Sequence, residues 1–71
     1  MHNRDFFLID LNKATKEELR LIPYVSEAMA QEIIRYRTDK GGLRNTDELS
    51  EIKGIGPARL KKMRKYLKKI N

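Results

Sequence analysis

Ile52-Lys53-Gly54-Ile55-Gly56-Pro57-Ala58-Arg59-Leu60 is the stretch on which the fold turns. Two glycines flank one apolar residue, and a proline follows where a new helix would start, its fixed φ suited to a first helical turn. The pattern predicts a tight hairpin that feeds a helix N-terminus. Missing Cβ atoms at Gly54 and Gly56 let another molecule's backbone come close. The unpaired N–H groups of the first turn point outward with the positive end of the helix dipole. A phosphate suits such a place, so the main chain of Gly54, Ile55, Gly56, Ala58 and Arg59 is the candidate anion site. Lys53, Arg59 and Lys62 flank it as the cations.

Charge sharpens this reading. From Ile52 to Asn71 there are eight basic residues, Lys53, Arg59, Lys61, Lys62, Arg64, Lys65, Lys68 and Lys69, and no Asp or Glu. All ten acidic residues lie in the first fifty-one positions, so the net charge of +6 originates in the C-terminal segment. Such asymmetry points to a polyanionic partner. Lys61, Arg64 and Lys65 form a secondary basic face, although most charge runs are simply solvated helix surface.

Shifting the sequence against itself by thirty residues aligns Glu18 with Glu48, Leu19 with Leu49, Ile22 with Ile52, Ala28 with Ala58 and Tyr36 with Tyr66. Val25 meets Ile55, and Arg35 meets Lys65. This is the signature of a duplicated helix-hairpin-helix unit. Each copy opens on a capping-box pattern, Thr15-x-x-Glu18 and Asn45-x-x-Glu48. The expected helices cover residues 15–21, 27–39, 46–51 and 57–69, with no strand. Motif one spans about 15–39 and motif two about 45–69, inside a domain of 9–71 that follows a partly disordered lead-in, 1–8, frayed over Met1–Asp5. Gly41-Gly42 ends the second helix through positive φ, and Leu43 returns as an apolar anchor. Leu60, Met63, Leu67 and Ile70 recur at helical spacing and should face the core. The fold class is all-α: a single compact domain of two pseudo-symmetric motifs, a SAM-domain-like helical bundle.

Size and composition exclude much else. A chain of 71 residues builds one small core and leaves little room for a buried catalytic pocket. Cysteine is absent, which removes disulfides and thiolate metal sites. The longest apolar run, Phe6-Phe7-Leu8-Ile9, is far short of a membrane span or a signal-peptide hydrophobic region, so no membrane contact by this chain is expected. His2 has no carboxylate or cysteine partner at ligand spacing. Glu17, Glu18, Asp47 and Glu48 sit in first turns, where capping and the dipole explain them, and Ser26, Thr15 and Thr46 have no base in view. No catalytic residue is assigned and the chain is not expected to be an enzyme.

With repeat and hairpin established, the chain resembles the tandem helix-hairpin-helix domain of the ComEA-type competence DNA receptors. The resemblance runs from about Ile9 to Leu67. It rests on Ile9-Asp10-Leu11-Asn12-Lys13-Ala14-Thr15, on Tyr36-Arg37 before Gly41-Gly42-Leu43, on Asp47-Glu48-Leu49 and on Gly54-Ile55-Gly56. It implies an all-α domain that binds double-stranded DNA through backbone phosphates with little sequence preference. It also implies an extracytoplasmic location if the chain serves as a competence receptor, whereas part of a repair protein would be cytoplasmic. Helix-hairpin-helix loops in some families hold a monovalent cation on main-chain carbonyls. Here Ile52 and Ile55 are the candidate donors for K+ or Na+, and no other cofactor is expected.

The first hairpin departs from the family pattern. Where Leu-Pro-Gly-Ile-Gly-Pro-Ala is the family type, this chain has Ile22-Pro23-Tyr24-Val25-Ser26-Glu27-Ala28. Tyr24 adds bulk and Glu27 adds negative charge, while Ser26 remains a good N-cap. Hairpin one therefore reads as structural, and as a candidate contact for a protein partner. Tyr36 and Tyr66 read as amphipathic plugs of the core rather than stacking platforms. Tyr24 is either an exposed partner anchor or a side chain leaning on the second helix. Two rival functions stand beside DNA uptake. One is a protein-interaction module with eroded hairpins, similar to domains of the small extrinsic subunit of photosystem II and of a type II secretion pseudopilin. The other is a DNA-targeting fragment of a repair enzyme.

Overall fold

Thr15 opens the first motif by a reciprocal exchange: its hydroxyl accepts the N–H of Glu18 at 3.1 Å and the Glu18 carboxylate accepts the N–H of Thr15 at 2.8 Å. In the computed structural model, which describes residues 8–70, this box starts α1, Lys16–Leu19. The expectation for residues 1–7 lies outside the described residues. The helix is shorter than the expected 15–21 because the N–H groups of Leu21 and Ile22 turn back to Glu18 and Leu19, three residues earlier. Such i→i+3 bonds tighten a last turn and end it.

Ser26 then caps α2, Glu27–Lys40, its hydroxyl accepting the N–H of Met29 at 3.2 Å. The helix stops at Gly41 and Gly42, with φ of 74° and 110°. Both N–H groups return to the Arg37 carbonyl, an ending that only positive-φ residues reach at low cost.

The second motif repeats this plan with two changes. Asn45 accepts the N–H of Glu48 at 3.1 Å, but the Glu48 carboxylate takes the N–H of Arg44 at 2.7 Å instead of that of Asn45. The second capping box is thus only half closed. The element it starts, Thr46–Glu51, is a 3-10 helix, short enough for that tighter geometry to persist.

The other change corrects the expected last helix. Instead of running through 57–69, α3 covers Pro57–Met63, a 3-10 turn covers Arg64–Tyr66, and Leu67 is extended. The chain leaves the helix to pair with the lead-in. Ile9 donates to the Tyr66 carbonyl at 2.9 Å and accepts the N–H of Lys68 at 2.8 Å, a single parallel bridge between Ile9 and Leu67. Backbone groups that a helix would have satisfied internally are satisfied across the molecule instead. Leu67 is buried as its spacing suggested, but extended chain delivers it.

Burial follows the thirty-residue repeat. Leu19 and Leu49, Ile22 and Ile52, Val25 and Ile55, Ala30 and Leu60, Ile33 and Met63 are buried pair by pair. Leu11, Ala14, Leu43 and Leu67 complete one continuous core, with Ile9, Met29, Tyr36, Tyr66 and Ile70 packed against it. The lead-in is pinned by Asn12, whose side chain accepts the N–H of Leu43 at 2.7 Å and donates to its carbonyl at 3.0 Å. Arg37 adds a bond to the Leu11 carbonyl at 2.9 Å. Among the described residues no helix is long and apolar enough to cross a membrane.

Candidate functional site

The two hairpins share a backbone and differ in chemistry. In hairpin two the N–H of Ile55 returns to the Ile52 carbonyl at 3.0 Å, and in hairpin one that of Val25 returns to Ile22 at 3.1 Å. Between these bonds lies one residue with positive φ in each case: Gly54 at 96° and Tyr24 at 76°. Glycine takes this region freely, while a bulky L-residue there is a genuine outlier.

The residue before each following helix differs in the same sense. Ser26 closes the start of α2 with its hydroxyl, and Glu27 beside it is paired with Lys16 at 3.3 Å and Arg20 at 3.7 Å. Gly56 gives α3 no side-chain cap, and Pro57 follows at the first helical position. The first-turn N–H groups of Ala58 and Arg59 therefore have no side-chain competitor for an external acceptor. Gly56 itself has an ordinary φ of −85° and nothing within 4 Å of where a Cβ would stand. Neither strain nor crowding inside the molecule demands a glycine there, which leaves the space open to something outside.

A cavity of about 360 Å³ lies at this hairpin, lined by Tyr24, Gly54, Gly56, Ala58, Arg59 and Lys62. Five of the expected phosphate-site residues thus meet at one place, with Tyr24 from the other hairpin beside them. Lys62 places its Nζ 5.5 Å from the Tyr24 ring centroid, a cation–π distance. The side chain of Ile55 is buried in the core, so only its main chain faces outward. Lys53 is not brought to the same wall. It lines a separate depression with Glu32, Asp39 and Glu51.

On the secondary basic face, Arg64 is ion-paired with Asp47, and Lys65 lies 5.9 Å from the Tyr66 ring centroid. Lys61 is exposed. Among the described residues no ion pair engages Lys53, Arg59, Lys61 or Lys62. Two of these cations, Arg59 and Lys62, stand in the wall of the hairpin-two cavity.

The closeness of Tyr24 to Gly54 and Gly56 was not anticipated from the sequence. The signal was present in the thirty-residue shift, which aligns Tyr24 with Gly54 and so assigns it the glycine's backbone conformation. Tyr24 is 56% exposed, and Leu21, on the same hairpin, is 74% exposed.

Glu48 and Glu51 have a structural partner. Tyr36 donates its hydroxyl toward Glu48 at 3.1 Å and Glu51 at 3.2 Å. Partial burial, helped by these two carboxylates, pushes the Tyr36 hydroxyl up to about 12. Glu48 is held below its ordinary value chiefly by the Arg44 N–H, against the opposing effect of burial. Among the described residues no group of three His, Cys, Asp or Glu could hold a metal ion. The Ile52 carbonyl is already engaged by Ile55. With Ile55 it supplies two main-chain oxygens, so K+ or Na+ held there would need further oxygens, such as those of a phosphate it bridges.

A larger cavity of about 500 Å³ lies at the C-terminal end of α2 beside Asn12, Arg37, Lys40 and Arg44. Asn12 and Arg37 are committed there to Leu43 and Leu11, so its polar lining serves the lead-in.

Comparison with known proteins agrees with this architecture. A family model described as a helix-hairpin-helix motif matches residues 6–68. The endonuclease/exonuclease/phosphatase family domain-containing protein 1 of Xenopus laevis is 36% identical over 56 residues, covering 79% of this chain and 10% of that protein. The human protein of the same name is 34% identical over the same length. ComE operon protein 1 of Bacillus subtilis is 33% identical over 57 residues, covering 80% of this chain and 28% of that protein. The chain spans about a tenth of the length of the first of these relatives.

Proposed function

The chain belongs to the helix-hairpin-helix family, and from that premise we propose that it binds double-stranded DNA through backbone phosphates, without reading sequence. The contact is hairpin two: the main chain from Gly54 to Arg59, with Arg59 and Lys62 as cations and Lys53, Lys61 and Lys65 adding longer-range attraction. The observation that carries this reading is the contrast between the hairpins. One start is closed by Ser26 and neutralised around Glu27, while the other is uncapped, unobstructed and flanked by unpaired cations. Among the described residues the cavity at hairpin two is lined by no carboxamide, and its one guanidinium is that of Arg59, which suits phosphate rather than a base edge.

We assign the chain no catalytic step. Five of its carboxylates are used for caps and pairs: Glu18 with Thr15, Glu27 with Lys16, Asp47 with Arg64, Glu48 and Glu51 with Tyr36. The module then serves either DNA uptake, as the likeness to ComE operon protein 1 suggests, or the delivery of a DNA-processing enzyme to its substrate, as the likeness to the endonuclease/exonuclease/phosphatase proteins suggests. A single open hairpin gives weak, asymmetric binding, with affinity on the order of micromolar at physiological salt.

The test is the salt dependence of duplex binding for single substitutions. Arg59→Gln and Lys62→Gln should each weaken binding to unrelated duplex sequences equally and lower the log–log salt slope by roughly one. Loss confined to one sequence, or slopes equal to that of the wild type, would remove hairpin two from the contact.

A further inference from the structure

Tyr24 is held in a conformation that costs a bulky residue free energy, at a position where its sequence equivalent is glycine. More than half of it stays in solvent: the residue is 56% exposed, and Lys62 is its charged neighbour at 5.5 Å. The ring stands in the wall of the cavity that also holds Gly54, Gly56, Arg59 and Lys62. An exposed aromatic face and two unpaired cations within one cavity of about 360 Å³ match the two chemical halves of a nucleotide, an aromatic base and a phosphate.

We propose that Tyr24 stacks on an unpaired nucleotide whose phosphate is held by hairpin two, so that the protein favours DNA with a gap, an overhang or another single-strand junction over continuous duplex. This rests on the phosphate reading of hairpin two. Inside a continuous duplex both faces of every base are covered by neighbours, and the ring has nothing to stack on. At a junction a base can leave the stack while its phosphate stays in place. Lys62 then serves both halves, its ammonium shared between the ring and the phosphate. The same arrangement accounts for a tyrosine where the second motif has Gly54: instead of gripping the second strand, hairpin one contributes a side chain to the site of hairpin two.

The experiment compares binding of a continuous duplex with that of the same duplex carrying a one-nucleotide gap or a short overhang. A 2-aminopurine at the unpaired position reports stacking. Wild type and Tyr24→Phe should bind the junction at least about fivefold tighter than the duplex, with a change in 2-aminopurine emission on binding. Tyr24→Gly keeps the backbone conformation, and its folding is checked by a thermal melt. In that variant the ratio should fall to near one and the emission change should vanish.

Equal affinity of the wild-type protein for junction and duplex would overturn the proposal and leave the ring to a protein partner, with the phosphate reading intact. A Tyr24→Gly variant that keeps the preference would also overturn it. If the wild-type protein binds neither DNA at low salt, the phosphate reading fails together with it.

Discussion

Two positions decide what the hairpins can do. Gly56 has an unremarkable φ of −85° and open space around its missing side chain. Serine in its place would reproduce the cap that Ser26 gives α2 and is expected to raise stability by about 0.3 kcal/mol, about 2 °C in a thermal melt. An unchanged or lower Tm would show that the uncapped start is not a stability deficit. Gly54 is a different case. At φ 96° any L-residue is strained, so substitutions there mix folding with binding. Tyr24 carries that strain already, and Tyr24→Gly should stabilise the fold by about 1 kcal/mol in urea denaturation. A destabilised variant would mean that the ring's packing outweighs the backbone cost.

At the scale of elements, the ties between segments matter more than the helices, which are too short to persist alone. Asn12 makes two hydrogen bonds to Leu43 and holds the lead-in against the second motif. Asn12→Ala should cost about 2 kcal/mol in urea denaturation, since it leaves the Leu43 N–H and carbonyl without their partner. Tyr36 ties α2 to the 3-10 helix through Glu48 and Glu51. Its folded pKa of about 12 lies above the unfolded value of 10.0. The folded state therefore holds the proton more tightly. That contribution is fully present below pH 10 and is lost as pH rises toward 12. Glu48 is shifted the other way, so its contribution is present above its unfolded value and lost as pH falls through the lowered one. Thermal melts should fall more steeply between pH 10 and pH 12 for the wild type than for Tyr36→Phe. Parallel curves would refute the linkage.

These elements also show what the sequence could and could not reveal. The thirty-residue shift located three of the core pairs, Leu19 with Leu49, Ile22 with Ile52 and Val25 with Ile55, and both N-caps, because periodicity and capping are local and repeat with the motif, while its Ala28 and Ala58 are both exposed. The end of α3 was not legible. Leu60, Met63 and Leu67 keep helical spacing, yet Leu67 is extended because Ile9, nearly sixty positions away, offers it a backbone partner. The half-open second capping box escaped for a similar reason: Glu48 is drawn to Arg44 on one side and Tyr36 on the other. Competition among side chains is a tertiary matter.

At the scale of the whole molecule, the two halves of the repeat share a backbone plan and differ in surface chemistry. Hairpin one is closed and internally paired, and its exposed tyrosine reaches toward the open hairpin two. The surplus of positive charge lies beyond Ile52, with Arg64 partly neutralised by Asp47. The preceding fifty-one residues carry eight basic and ten acidic side chains, so the segment beyond them supplies the electrostatic footprint. The turn built on the glycines of hairpin two was legible from residue type. The presence of Tyr24 in the same wall required the fold that sets the hairpins side by side.

The most direct test of the account is fluorescence anisotropy of a labelled duplex titrated at several salt concentrations with the wild type and with Gly56→Ser. The wild type should bind at about micromolar affinity, with a slope corresponding to roughly three to five phosphates. The folded variant, its Arg59 N–H taken by the new hydroxyl as Ser26 takes that of Met29, should bind roughly three- to tenfold more weakly. Salt-independent or absent binding by the wild type, or unaltered binding by a folded Gly56→Ser, would contradict a phosphate site at hairpin two.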